Sequence, residues 1–338
     1  PSPPPPSPPP PAPPPSPSPP PSPQPHSPDF RSLYSDYAQI GTDVRGDNTA
    51  DFAGSSVALS RDGMTLVFGA PEYHYHMTYS DQMDERDAGY SEVHAFDADT
   101  QSWGRIGSRL AGDENYQRHG YAVATNVDGT RIAIGSAGAN DLLGHVAVWE
   151  WDTSSDDWAR LGGDVVLDDQ VAGSPYPESS DSSCGISVAM SDDGALVAAG
   201  CLSHARIAGA VQVFRWDEAG AAWQEHGQRL GEALNGHMVA LSGDGQVLAI
   251  GSPLNELDDD AGLGARGDAR VYAWDDGADP AQWVPRGDPL VGEAVQSLFG
   301  KSLALSADGG TLAVGAPGYV RYARCQDSRA ETSCKGSV

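Results

Sequence analysis

The chain has 338 residues, with 47 acidic against 20 basic side chains and a formal charge of −27; its only lysines are Lys301 and Lys335. A field of that sign repels phosphate backbones and anionic bilayers, so neither nucleic acid nor a charged membrane surface is an expected partner. No apolar run approaches the about 18 residues of a membrane-spanning helix, so no membrane span is expected.

The first element is an arm. Residues 1–28 hold 19 of the 27 prolines, interleaved with serine and without a carboxylate, Lys or Arg. Fixed φ and missing N–H groups exclude helix and sheet and leave polyproline II, about 3.1 Å per residue. The Ser-Pro-Pro-Pro-Pro run at Ser2–Pro6 and the repeated Ser-Pro are similar to the hydroxyproline-rich glycoproteins of green-algal and plant cell walls, the pherophorin-type and extensin-like proteins. That resemblance implies hydroxylated, O-glycosylated proline, with Pro3, Pro4, Pro5, Pro6, Pro8, Pro9, Pro10 and Pro11 as candidates and Ser2 and Ser7 beside them. A disordered linker and an SH3- or WW-type ligand are the competing readings, although the basic residue that usually flanks such ligands is absent. No Asn-x-Ser/Thr acceptor exists in the chain, so N-linked sugar is not expected.

From Tyr37 onward one unit recurs. Tyr37-Ala38-Gln39-Ile40-Gly41 matches the close of a unit, and five hairpins follow, turning at Asp62-Gly63, Asp128-Gly129, Asp193-Gly194, Asp244-Gly245 and Asp308-Gly309. Gly to Gly, the intervals are 66, 65, 51 and 64 residues. A short apolar strand leads into each turn, where Asp tolerates the turn conformation and Gly supplies positive φ. A second strand leaves it, apolar at successive positions as burial on both faces requires. The third piece alternates and ends in an aromatic residue plus Asp in four of the copies, as in Val93–Asp97 and Val271–Asp275. The fourth pairs an aromatic residue with Gly four positions on: Trp103 with Gly107, Trp158 with Gly162, Trp223 with Gly227, Trp283 with Gly287.

Four short strands per unit predict an all-β fold, a β-propeller of about five four-stranded blades over residues 30–338, with the polyproline II arm over residues 1–29. A β-sandwich is the alternative. The units resemble the FG-GAP-like repeats of integrin-type propellers. Calcium-binding members of that family carry Asp-x-Asp-x-Asp-Gly between the first two strands, a pattern missing here, so the resemblance transfers no calcium site. Lys335-Gly336-Ser337-Val338 matches the start of a third strand, so both termini fall inside one blade. The expected closure shares that blade between the termini; since it is short of a third strand, donation by another copy or a longer parent ring are the alternatives.

Cys184 and Cys201 flank the third hairpin. They face each other directly if the turn is centred on Asp192-Asp193 and diagonally if it is centred on Asp193-Gly194. Cys325 and Cys334 would close a loop near the C-terminus. Two local disulfides suit an oxidising compartment, and C-x-x-C spacing for zinc is missing. No signal peptide is visible, as a processed N-terminus at Pro1 would explain.

No cofactor is expected. Asn255, Glu256, Asp258, Asp259 and Asp260 are candidate calcium ligands, set against the reading of a solvated acidic loop. His74, His76, Asp81, Asp84, Glu85 and Asp87 form a polar loop of the same kind. Arg-Gly-Asp at residues 45–47, 266–268 and 286–288 invites an integrin-ligand reading, but Gly287 is the repeat's own glycine. No Gly-x-Ser-x-Gly elbow or recognisable triad occurs, so no catalytic residue is assigned and an enzyme is not expected. The function expected is that of a secreted structural glycoprotein of a cell wall or matrix, self-associating head to tail or adhesive. A carbohydrate- or ligand-binding propeller with the arm as spacer is the alternative.

Overall fold

The computed structural model describes residues 39–47, 51–71, 88–113, 117–138, 144–165, 183–201, 209–230, 238–255, 266–294 and 296–318. The chain divides into two units, Pro1–Ile40 and Gly41–Val338, and all described strands lie in the second. The fold is an all-β propeller, and no helix occurs among the described residues.

Blade 1 is built from β1 (Ser56–Leu59), β2 (Thr65–Ala70), β3 (Tyr90–Asp97) and β4 (Ser102–Arg105), with β5 (Leu110–Ala111) also on β3. Blade 2 comprises β6 (His119–Thr125), β7 (Arg131–Ser136), β8 (His145–Asp152) and β9 (Asp157–Arg160). Blade 3 comprises β10 (Cys184–Met190), β11 (Leu196–Cys201), β12 (Ala210–Asp217) and β13 (Ala222–Glu225). In blade 4, β14 (Met238–Leu241), β15 (Val247–Ser252), β16 (Asp268–Asp275) and β17 (Gln282–Pro285) are joined by β18 (Leu290–Val291) on β16. Blade 5 contributes the hairpin of β19 (Ser302–Leu305) and β20 (Leu312–Gly315). Strands within a blade pair antiparallel, and the four principal strands of blades 1 to 4 follow chain order.

The Asp-Gly hairpin is a four-residue loop, not a two-residue one. In blade 1 the Ser60 N–H donates to the Thr65 carbonyl and the Gly63 N–H to the Ser60 carbonyl. The Ser60 hydroxyl donates to Asp62 Oδ1 at 2.6 Å, which also accepts from the Met64 N–H, while the Thr65 N–H donates to Ser60 Oγ at 2.9 Å. Ser191, Ser242 and Ser306 repeat the arrangement with Asp193, Asp244 and Asp308. In blade 2, Asn126 takes the serine's place and accepts from the Arg131 N–H. The unit signature is therefore Ser/Asn-x-Asp-Gly, with both side chains closing the loop.

The aromatic-Asp ending of the third strand has two tasks. Its aromatic residue faces the fourth strand's Trp across the ladder: Trp151 with Trp158, Trp216 with Trp223, Trp274 with Trp283, at centroid separations of 5.1, 5.4 and 5.3 Å. Its Asp caps the connecting turn, as Asp152 Oδ1 does by accepting from the Ser154 N–H at 2.8 Å.

Junctions between blades explain two further sets of glycines. The Val127 N–H donates to the Asp192 carbonyl, Asp192 to Gly243 and Gly243 to Ala307, so turn is bonded to turn along the array from Arg61, which donates to Val127. Gly69, Gly135 and Gly251, near the ends of their second strands, lie against the backbone of Gly120, Gly185 and Gly300 in the next blade, where any Cβ would overlap a carbonyl oxygen. The fourth-strand glycine meets the next blade's aromatic pair: Gly107 on Trp151 and Trp158, Gly162 on Trp216 and Trp223, Gly227 on Trp274 and Trp283. The Trp indoles lock this contact, the Trp158 Nε1–H donating to the Ile106 carbonyl at 3.1 Å.

Candidate functional site

Blade 2 brings together a serine and a histidine that are far apart in sequence. A two-residue bulge at Gly120-Tyr121 places His119 opposite Ser136, and Ser136 also faces His145 on β8. His119 Nδ1 lies 2.8 Å from Ser136 Oγ, and His145 Nε2 lies 3.8 Å from an Asp164 oxygen. Burial, with His145 and Arg160 nearby, pushes His119 down to about 3, so its ring is neutral at pH 7. A neutral histidine beside a hydroxyl is the start of a nucleophilic pair. The Ser136 hydroxyl, however, is wholly enclosed, with no surface for a substrate to approach.

Blade 3 shows what this position does. Its hairpin frame pairs Met190 with Val197 and Ser187 with Gly200, which on uninterrupted pairing would put Cys184 and Cys201 on a diagonal. The same two-residue bulge, here Gly185-Ile186, realigns Cys184 directly opposite Cys201, and the two are joined as a disulfide. His119···Ser136 and Cys184–Cys201 thus occupy equivalent places. Both fasten the first two strands of a blade beside the bulge that receives the preceding blade's glycine.

Blade 1 carries the densest polar network. Glu92 Oε1 accepts from Arg109 Nε at 2.9 Å, Arg109 Nη2 at 2.6 Å and Arg105 Nη1 at 3.1 Å, and Oε2 meets His94 Nε2 at 3.1 Å. Burial raises the Glu92 carboxyl, but the bonds from Arg109, His94 and Arg105 outweigh it and hold the group below the usual carboxylate range. Arg109 continues to Asp47 and lies over the Tyr90 ring, whose hydroxyl donates to Asp51 at 2.5 Å. Burial and then that bond push the Tyr90 hydroxyl well above its ordinary value. Such a carboxylate offers no proton near neutral pH. The network fastens the segment before β1 onto β3.

The Arg-Gly-Asp tripeptides are likewise engaged. Asp47 pairs with Arg109 and Arg45 with Asp43. Asp268 is fully enclosed and accepts from Arg270, while the Arg266 carbonyl accepts from the Phe299 N–H of blade 5. Gly287 stands at φ 86°, matching Gly107, Gly162 and Gly227.

Among the described residues no group of three or more His, Cys, Asp or Glu could hold a metal ion. The turn carboxylates do not fit the calcium loops of FG-GAP-like repeats: Asp62 Oδ1 is already occupied by the Ser60 hydroxyl and the Met64 N–H, and no second carboxylate joins it. Glu256, Asp258, Asp259 and Asp260 lie outside the described residues, as do the polar loop from His74 to Asp87, the glycosylation candidates between Ser2 and Pro11, and Cys325 and Cys334.

The two ends of the blade array differ from everything between them. Val123, Val188 and Val239, at one position of the first strand, are 8%, 9% and 6% exposed against the preceding blade, whereas their counterpart Val57 is 63% exposed and Leu59 beside it 55%. On the opposite face, Val67, Ala133, Ala198 and Ala249 are each 0% exposed under the following blade, whereas their counterpart Ala313 is exposed, with Ala304. Added methyl groups at Gly54 and Gly287 would meet nothing within 4 Å among the described residues, unlike their counterparts in the other blades. Gly315 meets only its own hairpin's Ser302, not Gly54. Gly41 does meet the aromatic pair of blade 1, an added methyl lying 2.9 Å from Trp103 and 3.2 Å from Phe96, as the fourth-strand glycines do elsewhere, but the first-strand face of blade 1 and the small-residue face of blade 5 stay exposed and are not buried on each other.

No family model matches this sequence, and no curated protein matches it. Among solved structures it is similar to the periplasmic gluconolactonase of Pseudomonas aeruginosa, at 18% identity and a TM-score of 0.48, over 77% of this chain and 64% of that one. The chain therefore spans less than two thirds of that protein's length. It is also similar to the hydrazine synthase of Kuenenia stuttgartiensis, at 16% identity and a TM-score of 0.44, over 83% of this chain and 77% of that one. The Dos1 propeller matches at 10% identity and a TM-score of 0.39, over 76% and 64%. Gluconolactonase and hydrazine synthase are enzymes, so the expectation that the chain is not an enzyme does not stand. The chain is a β-propeller module.

Proposed function

We propose that this chain is an extracellular structural module, a propeller over residues 30–338 carried on a glycosylated polyproline II arm over residues 1–29, which self-assembles within a cell wall or matrix. The single observation that carries the reading is a pair of exposed faces, an apolar one at one end of the blade array and its small-residue counterpart at the other. The Cys184–Cys201 disulfide supports an oxidising location. The uncharged Ser-Pro arm and its resemblance to hydroxyproline-rich glycoproteins support the wall assignment, with O-glycan on Pro3–Pro6 and Pro8–Pro11. The charge of −27 lies wholly outside residues 1–28 and keeps the propeller soluble in a cation-rich matrix. Native mass spectrometry of the protein from its source tests this: the expected spectrum shows pentose- or hexose-spaced glycoforms and multiples of the chain mass. An unglycosylated monomer at all concentrations would overturn it.

A further inference from the structure

We infer that the two end faces are halves of one junction and that a second copy of this chain completes it, the Val57 and Leu59 of one copy seating on the Ala304 and Ala313 of the next. This rests on the self-assembly reading and specifies its contact. Three junctions already show the geometry. Val123 shares a core cluster with Ala58 and Val67, Val188 with Ala124 and Ala133, and Val239 with Ala189 and Ala198. Each time a first-strand valine joins two small or branched residues of the preceding blade. Ala304 and Ala313 are the equivalent pair in blade 5, cross-strand partners in its hairpin, and Val57 is the exposed counterpart of the three valines.

Polar groups at the two ends match as well. Each turn N–H donates to the next blade's turn carbonyl up to Gly243, which donates to Ala307. The Ala307 N–H and the Arg61 carbonyl are the donor and acceptor that continue the series, and they are not bonded to each other. The turn glycines Gly129, Gly194, Gly245 and Gly309 press on Thr65, Arg131, Leu196 and Val247 of the preceding blade; Gly63 has only its own Leu59 at 3.9 Å, and Thr311 is exposed. A sixth Ser/Asn-x-Asp-Gly hairpin does not occur among the 338 residues. The blade 5 hairpin of another copy can take that place. Such a contact uses different surfaces on its two sides, so each added copy presents a fresh Val57 face, and growth continues until the geometry closes.

The experiment uses the full chain in two single variants, Val57→Asp and Ala313→Arg, followed by sedimentation velocity and native mass spectrometry over a hundredfold concentration range near 0.15 M salt. Both positions are exposed, and circular dichroism melts within a degree or two of the parent verify folding. The expected result is at least a tenfold weaker self-association for each variant alone. Mixed one to one, the variants retain one complementary pair of faces and form dimers but nothing longer. Association undiminished in both variants overturns this contact while leaving self-assembly standing through another surface. A parent chain that stays monomeric overturns both, whether its faces are covered by its own residues or stay bare.

Discussion

The Ser/Asn-x-Asp-Gly loop allows one side-chain contact to be tested with and without a covering blade. In blade 4, Ser242 is fully buried; its Oγ donates to Asp244 Oδ1 at 2.6 Å and accepts from the Val247 N–H at 2.9 Å. Gly309 of blade 5 closes over both residues, with an added methyl 2.6 Å from Val247 Cγ2. Ser242→Ala therefore leaves the Val247 N–H without a partner where water cannot reach, a loss of about 1–3 kcal/mol. In blade 5, Ser306 makes the same bonds at 2.6 and 2.9 Å, but Thr311 is exposed. Water replaces the lost hydroxyl there, and Ser306→Ala should cost about 0.5 kcal/mol or less. Urea melts of the two variants at dilute, monomeric concentration, with unchanged m values, measure the difference directly. Equal losses, or a larger loss at Ser306, would show that the neighbouring blade does not shield the loop, and the reasoning about junction burial would fail.

Gly251→Ala sets a Cβ against the Gly300 carbonyl and should lower the melting temperature sharply, whereas Gly315→Ala meets only the Ser302 side chain, which can rotate, and should be nearly silent. Replacing Cys184 and Cys201 together by alanine opens a link across a sequence separation of 17 and should cost about 3 kcal/mol in urea melts, an effect matched by reduction of the parent protein. Stability should fall in two stages on acidification. His119 and His226 sit below their ordinary value of about 6.5, so their contribution is full above pH 6.5 and is lost as pH falls from there through their folded values; His119→Gln should flatten that limb of the urea midpoint against pH. Asp62, Asp128, Asp244 and Asp308 lie below the ordinary carboxylate value, so their contribution is present above about pH 4 and is lost below it; Asp244→Asn should shrink that second limb.

The hairpins were readable because each carries its own chemistry: Ser242, Asp244 and Gly245 are close in sequence and bond to one another. Contacts between blades were not readable in the same way. The Trp-x-x-x-Gly spacing shows that Trp158 and Gly162 recur together, yet Gly162 packs on Trp216 and Trp223 of the next blade. Periodicity reports which residue types return, not which copy they touch. Asp-Gly alone suits a two-residue turn equally well; the serine two positions before the Asp is what sets the four-residue loop. Cys184 could not be placed because a bulge leaves no mark beyond Gly185, which only alignment with Gly120 makes suggestive. The same alignment sets His119 beside Cys184 and would have located the Ser136 pair. The expectation of a non-enzyme rested on motifs, which see only neighbours in sequence, whereas catalytic groups gather in space.

The turn-to-turn bonds from Arg61 to Ala307 make each blade's stability a sum of its own packing and that of its neighbours, as in a one-dimensional lattice. Among the described residues the inner blades are bonded turn to turn on both sides and the outer blades on one, so thermal fraying should begin at the flanks and work inward. Amide exchange should be slowest in β11 and fastest in β19 and β20. Any partner that caps a flank would therefore slow unfolding of the whole row, not merely of the blade it touches.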